Sequence, residues 1–258
     1  MKRTFVPHPL DLNIVDSSYQ NVLEEWDQHL KDFHSGFAVF FEANLLSLAL
    51  RSHDVRSCIR QADWIFPDGV AVSKLASLHA KHPVERISGP TFILKACEYG
   101  QSRGWKHFFY GGTPESLEVL KRKLREQFPA IIIAGGYAPP FRPLTPEEDA
   151  AIIKQINDSG ADFGWVGLGG PKQEFWIQAH RSALKVPVML GVGAAFDFPS
   201  GKRSWAPKII RRLGLEWFWR MCSGGRRTLF RNLRCVSIVS LFLLKERIRA
   251  FFRKRSKS

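Results

Sequence analysis

The stretch His107–Phe128, HFFYGGTPESLEVLKRKLREQF, holds a complete strand, turn and helix. His107–Tyr110 is short and apolar, which is typical of a buried strand. Two glycines form the turn, and Thr113 followed by Pro114 is typical of a helix N-cap and its first helical residue. The rest alternates apolar and charged residues at helical spacing. The stretch therefore predicts one strand–helix unit of an α/β fold.

Similar units recur along roughly the first 200 residues. The predicted strands are Phe37–Phe41, Trp64–Phe66, His107–Tyr110, Ile131–Ala134, Phe163–Gly167 and Val186–Val192. The predicted helices are Asn44–Ala62, Val70–Ala80, Thr91–Arg103, Pro114–Phe128, Pro146–Asn157 and Gly170–His180. Thr145 and Glu148 have the spacing of a capping box before the fifth helix. Alternating helices and near-continuous apolar strands predict a Rossmann-like, mostly parallel sheet with helices on both faces.

The excess positive charge lies in the last fifth of the chain. Residues 202–258 contain 17 Lys or Arg and 2 Asp or Glu, whereas residues 1–201 are nearly neutral. We therefore predict an α/β core over residues 1–200 and a basic helical appendage over residues 201–258. Aromatic and aliphatic residues beside arginines favour a helix that lies in a membrane interface. A helix that packs on the core with a solvated basic face, or one that binds nucleic acid, is the alternative.

The sequence lacks the usual marks of secretion and of membrane spanning. No apolar run follows the basic residues of the N-terminus, MKRTFVPHPLDLNIVD. The longest apolar segment, Cys235–Leu244, is shorter than the roughly 20 residues that a spanning helix needs. The four cysteines are widely spaced, which favours reduced thiols. We therefore expect the protein to stay on the cytoplasmic side.

Four loops that follow predicted strands carry polar residues or glycines. Their candidate binding residues are Glu42, Asn44, Asp68, Gly111, Gly112, Gly167, Gly169, Lys172 and Gln173. Ligands of parallel sheets bind at the carboxyl ends of the strands, and glycine turns let backbone N–H groups approach phosphate. Taken alone, the glycines fit tight packing as well as phosphate binding. The Pro67-Asp68-Gly69 sequence taken alone favours a simple turn over catalysis.

The sequence lacks several motifs of metal-dependent and nucleotide-dependent enzymes. No D-x-D pair and no His or Cys cluster is present, so we predict neither a metal ion nor a cofactor. A diphosphate handled without metal requires Arg, Lys and backbone N–H groups, which the arginine-rich end would supply if it folds over the sheet. GLGGPK is not G-x-G-x-x-G, because Lys172 occupies its sixth position. This argues against a nucleotide-dependent oxidoreductase.

Five segments between about Phe37 and Arg227 are distinctive in their order and spacing. They are ADWIFPDGVAV (62–72), RISGPTF (86–92), FFYGGTPE (108–115), SGADFGWVGLGGPKQEFWI (159–177) and GVGAAFDFPSGKRSWAPKIIRRLGLEWFWR (191–220). Together they resemble the WecG/TagA/CpsF glycosyltransferases. The resemblance implies an inverting, metal-independent enzyme of cell-surface polysaccharide biosynthesis. Such an enzyme moves a hexose or N-acetylhexosamine-type sugar from a UDP-sugar to an undecaprenyl-diphosphate-linked saccharide.

The resemblance also implies roles for individual residues. Asp68 matches the general base of the family. Residues that match donor-binding positions, or lie beside them, are Asn44, Gln173, Arg220, Arg227 and Arg231. Glu42 stands where the family has a threonine. A glutamate there would add a second acid near Asp68 and raise the pKa of Asp68.

The resemblance further implies the partners and the location. The partners are the UDP-sugar donor, the lipid-linked acceptor and an anionic membrane surface that the appendage meets. The protein would then be cytoplasmic and peripheral on the inner face of a bacterial plasma membrane. Nucleic acid is not an expected partner, and a homo-oligomer is an open alternative. The alternative function is that of a non-enzymatic lipid- or nucleic-acid-binding protein with a basic tail on a Rossmann-like core.

Overall fold

An eight-stranded sheet forms the centre of the computed structural model, which describes residues 1–31, 35–193, 196 and 226–255. The strands are β1 (Arg3–Val6), β2 (Leu12–Val15), β3 (Gly36–Phe41), β4 (Trp64–Pro67), β5 (Lys106–Gly111), β6 (Ile132–Tyr137), β7 (Phe163–Gly167) and β8 (Val188–Gly191). They lie in the order β1-β2-β4-β3-β8-β7-β5-β6. Only the β1–β2 pair is antiparallel among these strands. The predicted Rossmann-like α/β fold with a mostly parallel sheet is confirmed.

The helices connect the strands and cover the sheet. They are α1 (Tyr19–His29), α2 (Ala43–Arg51), α3 (His53–Arg60), α4 (Val70–Ala80), α5 (Gly89–Gly100), α6 (Pro114–Gln127), α7 (Pro146–Asp158), α8 (Lys172–His180) and α9 (Arg226–Arg255). A short 3-10 turn, Gln101–Arg103, follows α5. The side chains of residues 226–232, 251 and 253–255 are outside the described set.

Each buried strand contributes to two hydrophobic cores, because successive side chains of a strand point to opposite faces. In β3, Val39 and Phe41 belong to one core, whereas Ala38 and Phe40 belong to the other. Buried residues of α2, α3, α4, α7, α8 and α9 complete the first core. Those of α1, α5 and α6 complete the second, where Trp26 contacts several aromatic rings. Burial on both faces explains the continuous apolar strands of the sequence.

The local signals at two helix starts act as predicted. Thr113 accepts a hydrogen bond from the Ser116 N–H at 3.2 Å, and the Ser116 hydroxyl accepts one from the Thr113 N–H at 2.8 Å. Thr145 and Glu148 make the same reciprocal pair at the start of α7. Each pair satisfies N–H groups that a helix start leaves without an intrahelical partner.

The structure corrects the prediction of one long helix over Asn44–Ala62. The chain instead forms α2 and α3, which meet at Ser52. The Ser52 hydroxyl accepts a hydrogen bond from the Val55 N–H at 3.4 Å and so begins a new helix within the apolar pattern. The structure also adds β1, β2 and α1 before the first predicted strand.

The C-terminal helix α9 packs against α2 and α4, the helices that follow β3 and β4. Cys235, Val239 and Phe242 of α9 are buried and join the core. The Glu246 carboxylate, 4 % exposed, lies 3.2 Å from His79 Nε2 of α4 and 2.7 Å from an Arg249 nitrogen. One face of the basic segment is therefore part of the folded core.

Candidate active site

The polar loops gather at one edge of the sheet, because the strands that precede them are parallel. Phe41 of β3 lies beside Pro67 of β4, and Gly111 of β5 lies beside Gly167 of β7. Strand β8 lies between β3 and β7. The loops with Glu42, Asp68, Gly111, Gly112, Gly167, Gly169, Lys172 and Gln173 therefore follow neighbouring strand ends, as the sequence predicts.

Asp68 follows β4 directly and is half-buried. Its backbone N–H donates to the Phe41 carbonyl at 3.1 Å, which fixes the turn against β3. Its Oδ2 accepts a hydrogen bond from the Gly89 N–H at 3.2 Å, the first residue of α5. The positive end of that helix favours a negative charge on the carboxylate. The surroundings of Asp68 at the sheet edge therefore favour its ionised carboxylate.

The residues before α5 form a small network next to Asp68. The Ser88 N–H donates to the Tyr19 hydroxyl oxygen at 2.7 Å, and the Ser88 hydroxyl donates to Thr91 at 3.0 Å. Burial raises the pKa of Tyr19, and the negative charge of Asp68 raises it further. Tyr19 therefore keeps its proton at neutral pH and holds the start of α5 in place.

The carboxylate of Glu42 caps α2. It accepts hydrogen bonds from the Asn44 N–H at 2.8 Å and from the Leu45 N–H at 3.0 Å. Glu42 is therefore the N-cap of this helix, and Asn44 lies in its first turn. Burial raises the pKa of Glu174 across the sheet edge, and the negative charge of Glu42 raises it further. Glu42, which stands where the resemblance leads one to expect a threonine, is thus a helix N-cap.

The two glycine turns touch each other through their backbones. A side chain on Gly111 would place its Cβ 2.5 Å from the Gly167 carbonyl oxygen, a distance that no real Cβ tolerates. Gly111 has φ of 132° and Gly169 has φ of 82°, both in the region that favours glycine. Space around a Cβ on Gly169 is open. Gly111 and Gly167 are therefore closely packed, whereas Gly169 leaves room beside its backbone.

Gln173 lies in the first turn of α8 and is 4 % exposed. Its Oε1 accepts hydrogen bonds from the Gly169 N–H at 3.1 Å and from the Gly193 N–H at 2.7 Å. Its Nε2 donates to Glu174 Oε1 at 2.8 Å. The side chain predicted to bind the donor thus connects the loops that follow β7 and β8.

Glu174 is a functional candidate that the sequence-based reasoning missed. It is 1 % exposed, and burial raises its pKa to about 7, with a further contribution from the charge of Glu42. The Gln173 amide and the Glu174 N–H lower the pKa but do not offset burial. The available signal was its spacing: Glu174 lies three residues before the buried Ile177, so both share one face of α8.

The predicted cations are only partly within the described residues. Lys172 is exposed and is the first residue of α8, whose N-terminus carries no side-chain cap. Arg220 lies outside the described residues. Arg227 and Arg231 belong to α9, but their side chains are outside the described set. Among the described residues, no group of three or more His, Cys, Asp or Glu side chains is placed to hold a metal ion.

The fold and the polar groups at this edge define a Rossmann-like α/β protein with a candidate site at the carboxyl ends of its strands. The chain matches the model of the Glycosyl transferase WecG/TagA/CpsF family over residues 8–253, and it belongs to this family. The family is one of glycosyltransferases in polysaccharide biosynthesis, and the chain is assigned to that class. The resemblance seen in the sequence is confirmed.

Proposed function

We propose that the protein is an inverting, metal-independent glycosyltransferase that uses a UDP-sugar. The acceptor is an undecaprenyl-diphosphate-linked saccharide, and the transferred sugar is a hexose or an N-acetylhexosamine-type sugar. One observation carries the proposal: Asp68 lies at the carboxyl end of β4, on the edge where the glycine turns after β5 and β7 also lie. Family membership supports the reaction class.

Asp68 acts as the general base. Its carboxylate takes the proton of the acceptor hydroxyl while that oxygen forms a bond to the anomeric carbon of the donor. The bond between the anomeric carbon and the diphosphate oxygen breaks, and the leaving UDP keeps the electron pair. Attack from the face opposite the leaving group inverts the anomeric configuration. The Gly89 N–H supports this role, because it holds one carboxylate oxygen in a fixed position.

The donor diphosphate lies against the turns after β5 and β7. Glycines there permit close approach of the backbone, and the uncapped N-terminus of α8 favours an anion. Lys172 adds a positive charge on the same helix. Asn44 contacts the donor sugar, Gln173 shapes the pocket wall, and the arginines of the appendage, Arg220, Arg227 and Arg231, offset the charge of the leaving diphosphate.

The test of the base is Asp68→Asn in the full-length chain. We expect the rate of sugar transfer to fall by about 10³-fold, the middle of the range for a lost general base. UDP binding by isothermal titration calorimetry should change by less than about threefold, because the side chain keeps its size and one acceptor oxygen. Screening UDP-sugars for transfer to an undecaprenyl-diphosphate-linked sugar mimic identifies the donor.

The matched control is Asp54→Asn, which removes a carboxylate that is 87 % exposed on α3. Its transfer rate should equal that of the unmodified protein. Normal transfer by Asp68→Asn would exclude Asp68 as the base. Absence of transfer and of UDP binding in the unmodified protein would reject the proposed use of a UDP-sugar.

The outward surface of α9 supports a membrane location. Its exposed apolar residues, which we call the outer stripe, are Leu233, Leu241, Leu244, Ile248 and Phe252. At 100° per residue the outer stripe lies opposite the buried Cys235, Val239 and Phe242. The exposed side chains of Arg234, Lys245 and Arg247 border it. An apolar stripe between cations is the pattern of a helix that lies in a lipid interface.

We infer that residues 201–258 form an appendage that places the core on the inner face of a bacterial plasma membrane. The outer stripe enters the headgroup region, and each nearby cation adds about 1 kcal/mol against anionic lipid. Within the described ranges, no helix has the length and the apolar content that a membrane span requires. Contact with the membrane through one helix face brings the site close to a lipid-linked acceptor.

Serine substitutions at Leu241, Leu244 and Ile248 test the membrane contact without removing α9 from the core. We expect sedimentation with phosphatidylglycerol vesicles to fall by more than about tenfold, because roughly 1.5–3 kcal/mol of apolar burial is lost at each site. The control is Phe141→Ser, since Phe141 is 92 % exposed on a loop. Unchanged sedimentation of the triple variant would reject the outer stripe as the contact.

A further inference from the structure

Glu174 occupies a tightly built position between the ends of β7 and β8. A Cβ added to Gly191 of β8 would lie 2.9 Å from Glu174 Oε1 and 3.0 Å from Gln173 Nε2, so only glycine leaves room for this pair. A Cβ on Gly170 would lie 3.3 Å from Glu174 Oε2. The carboxyl group is therefore enclosed by the strand end on one side and by the loop after β7 on the other.

The Gln173 amide donates a hydrogen bond to Glu174 and accepts hydrogen bonds from the loops. Glu174 Oε1 accepts from Gln173 Nε2, which leaves Gln173 Oε1 to accept from the Gly169 and Gly193 N–H groups. The two backbone N–H donors keep Oε1 on the side of the loops, so Nε2 must point towards Glu174. The acceptor on Glu174 gives this buried nitrogen its hydrogen-bond partner and so completes the bonding of the amide.

The surroundings of Glu174 disfavour a negative charge. The residue is 1 % exposed and makes no ion pair with any residue that the structure describes. Its Oε2 has no hydrogen-bond partner among those residues. The ionisable groups that face it are Glu42, at the start of α2, and the Cys58 thiol of α3, whose pKa burial raises to about 12. A buried unpaired carboxylate beside another carboxylate costs far more than a buried neutral acid.

We propose that Glu174 is a positioning residue that, as an uncharged carboxylic acid, holds the Gln173 amide and so ties the loops after β7 and β8 together. The link to catalysis rests on the proposed function, because the loop after β7 is part of the donor side of that site. Deprotonation above neutral pH places a second negative charge beside Glu42 in the buried site. Burial and this repulsion then act against the order of the loops, although the carboxylate still accepts from Gln173 Nε2. Glu174 then sets an upper pH limit on the ordered donor side.

The test compares Glu174→Met with Glu174→Gln in the full-length chain. Methionine keeps the volume without the acceptor, whereas glutamine keeps the acceptor and removes the acidic proton. By hydrogen exchange at pH 6, we expect the Gly169 and Gly193 amides to exchange about tenfold faster in Glu174→Met. Exchange in Glu174→Gln should stay within about twofold of the unmodified protein. Equal exchange in all three proteins, or equally fast exchange in both variants, overturns the proposal.

The charge state of Glu174 is tested by the pH dependence of folding stability. The pKa of Glu174 is raised in the folded chain, so folding stability should fall as pH rises from about 4.5 towards about 7 and change little above that. Glu174→Gln lacks the titrating group and should lose this part of the pH dependence of Tm. A variant with the same pH dependence as the unmodified protein shows that Glu174 is not held neutral, which overturns the proposal.

Binding of UDP separates this proposal from the proposed function. We expect Glu174→Met to weaken UDP binding by about tenfold and Glu174→Gln to leave it nearly unchanged. Unweakened binding in Glu174→Met overturns the link between Glu174 and the donor side. If the unmodified protein does not bind UDP, the proposed function fails. The exchange and Tm experiments still decide whether Glu174 positions the loops as a neutral acid.

Discussion

The two halves of the sheet edge differ in whether carboxylates accept hydrogen bonds from helix N-termini. At the ends of β3 and β4, which we call the acid half, Glu42 accepts N–H groups of α2, and Asp68 accepts the first N–H of α5. At the ends of β5 and β7, the glycine half, α8 begins without a side-chain cap and next to an exposed lysine. In the acid half the carboxylates thus bond to helix-start N–H groups, whereas the acids in the first turns of the glycine half are the exposed Glu115 of α6 and the buried Glu174 of α8.

This difference orients the proposed reaction. The carboxylates of the acid half repel a diphosphate, whereas the glycine half has turns without side chains and the positive end of α8. The base and the leaving group then belong to different halves, with β3 and β8 between β4 and β7. An inverting transfer requires that separation, because the acceptor oxygen attacks from the side opposite the leaving diphosphate. Glu174 lies beside β8, near the boundary between the halves.

Gly111→Ala should produce the largest loss of stability, because it disrupts the contact between the two turns of the glycine half. The new Cβ would meet the Gly167 carbonyl oxygen at 2.5 Å at a φ of 132°. We expect the free energy of unfolding to fall by more than about 3 kcal/mol, because backbone atoms must shift and the residue is strained. Thermal unfolding measures the loss.

The control for this substitution is Gly160→Ala. Gly160 also has a positive φ, of 60°, but a Cβ there meets nothing within 4 Å. Its cost should be about 1 kcal/mol, the strain alone. Equal costs at the two glycines would show that the turns after β5 and β7 do not depend on their close contact.

The acid half shows what sequence patterns establish and what they miss. Val70–Ala80 is predicted with its observed ends, because a Pro-Asp-Gly turn precedes an uninterrupted apolar helix. The break at Ser52 is missed, since the apolar spacing of α2 continues into α3 and a serine cap competes with it only weakly. The Rossmann-like fold follows from alternation of strand and helix, which needs no knowledge of helix ends.

The interplay of Glu42 and Glu174 could not be predicted for a different reason. The two residues are distant in sequence and come together only because β3, β8 and β7 are neighbours in the sheet. Strand order is a property of the whole fold, whereas spacing is local. The role of Asp68 came from its family resemblance, since its local sequence favours a turn. The residue patterns predicted that the site lies at the carboxyl ends of the strands. The resemblance to the family suggested Asp68 as the general base.

Glu42→Ala tests the acid half and should have an intermediate effect on stability. Loss of the α2 cap should cost about 1 kcal/mol of stability, seen by chemical denaturation at pH 5.5. Removal of the negative charge also lowers the pKa of Glu174 towards its ordinary value. Between about pH 4.5 and about pH 7, Glu42→Ala should therefore lose less stability than the unmodified protein does. The difference in stability between the two proteins should then be smaller at pH 8 than at pH 5.5.

Thr145→Ala is the matched control for Glu42→Ala. Thr145 caps α7 in the same way but has no carboxyl group. Its partner Glu148 has a pKa lowered to about 2 by Arg142, so Glu148 is ionised throughout this pH range. The cost of Thr145→Ala should therefore be the same at pH 5.5 and pH 8. A cost of Glu42→Ala that is also independent of pH would separate Glu42 from the titration of Glu174.

Lys172→Gln should have the smallest effect and tests which half receives the diphosphate. Lys172 is exposed at the start of α8, so water and salt screen its charge and the loss of UDP affinity should be only about threefold. Lys74→Gln removes an exposed lysine from α4, which begins beside Asp68 in the acid half, and should leave the affinity unchanged. The Lys172 effect should shrink as salt rises from 50 to about 500 mM, since Coulomb contributions fall with the screening length. A larger effect at Lys74 would place the diphosphate on the acid half, and Asp68 would then lie on the side of the leaving group rather than of the attacking hydroxyl.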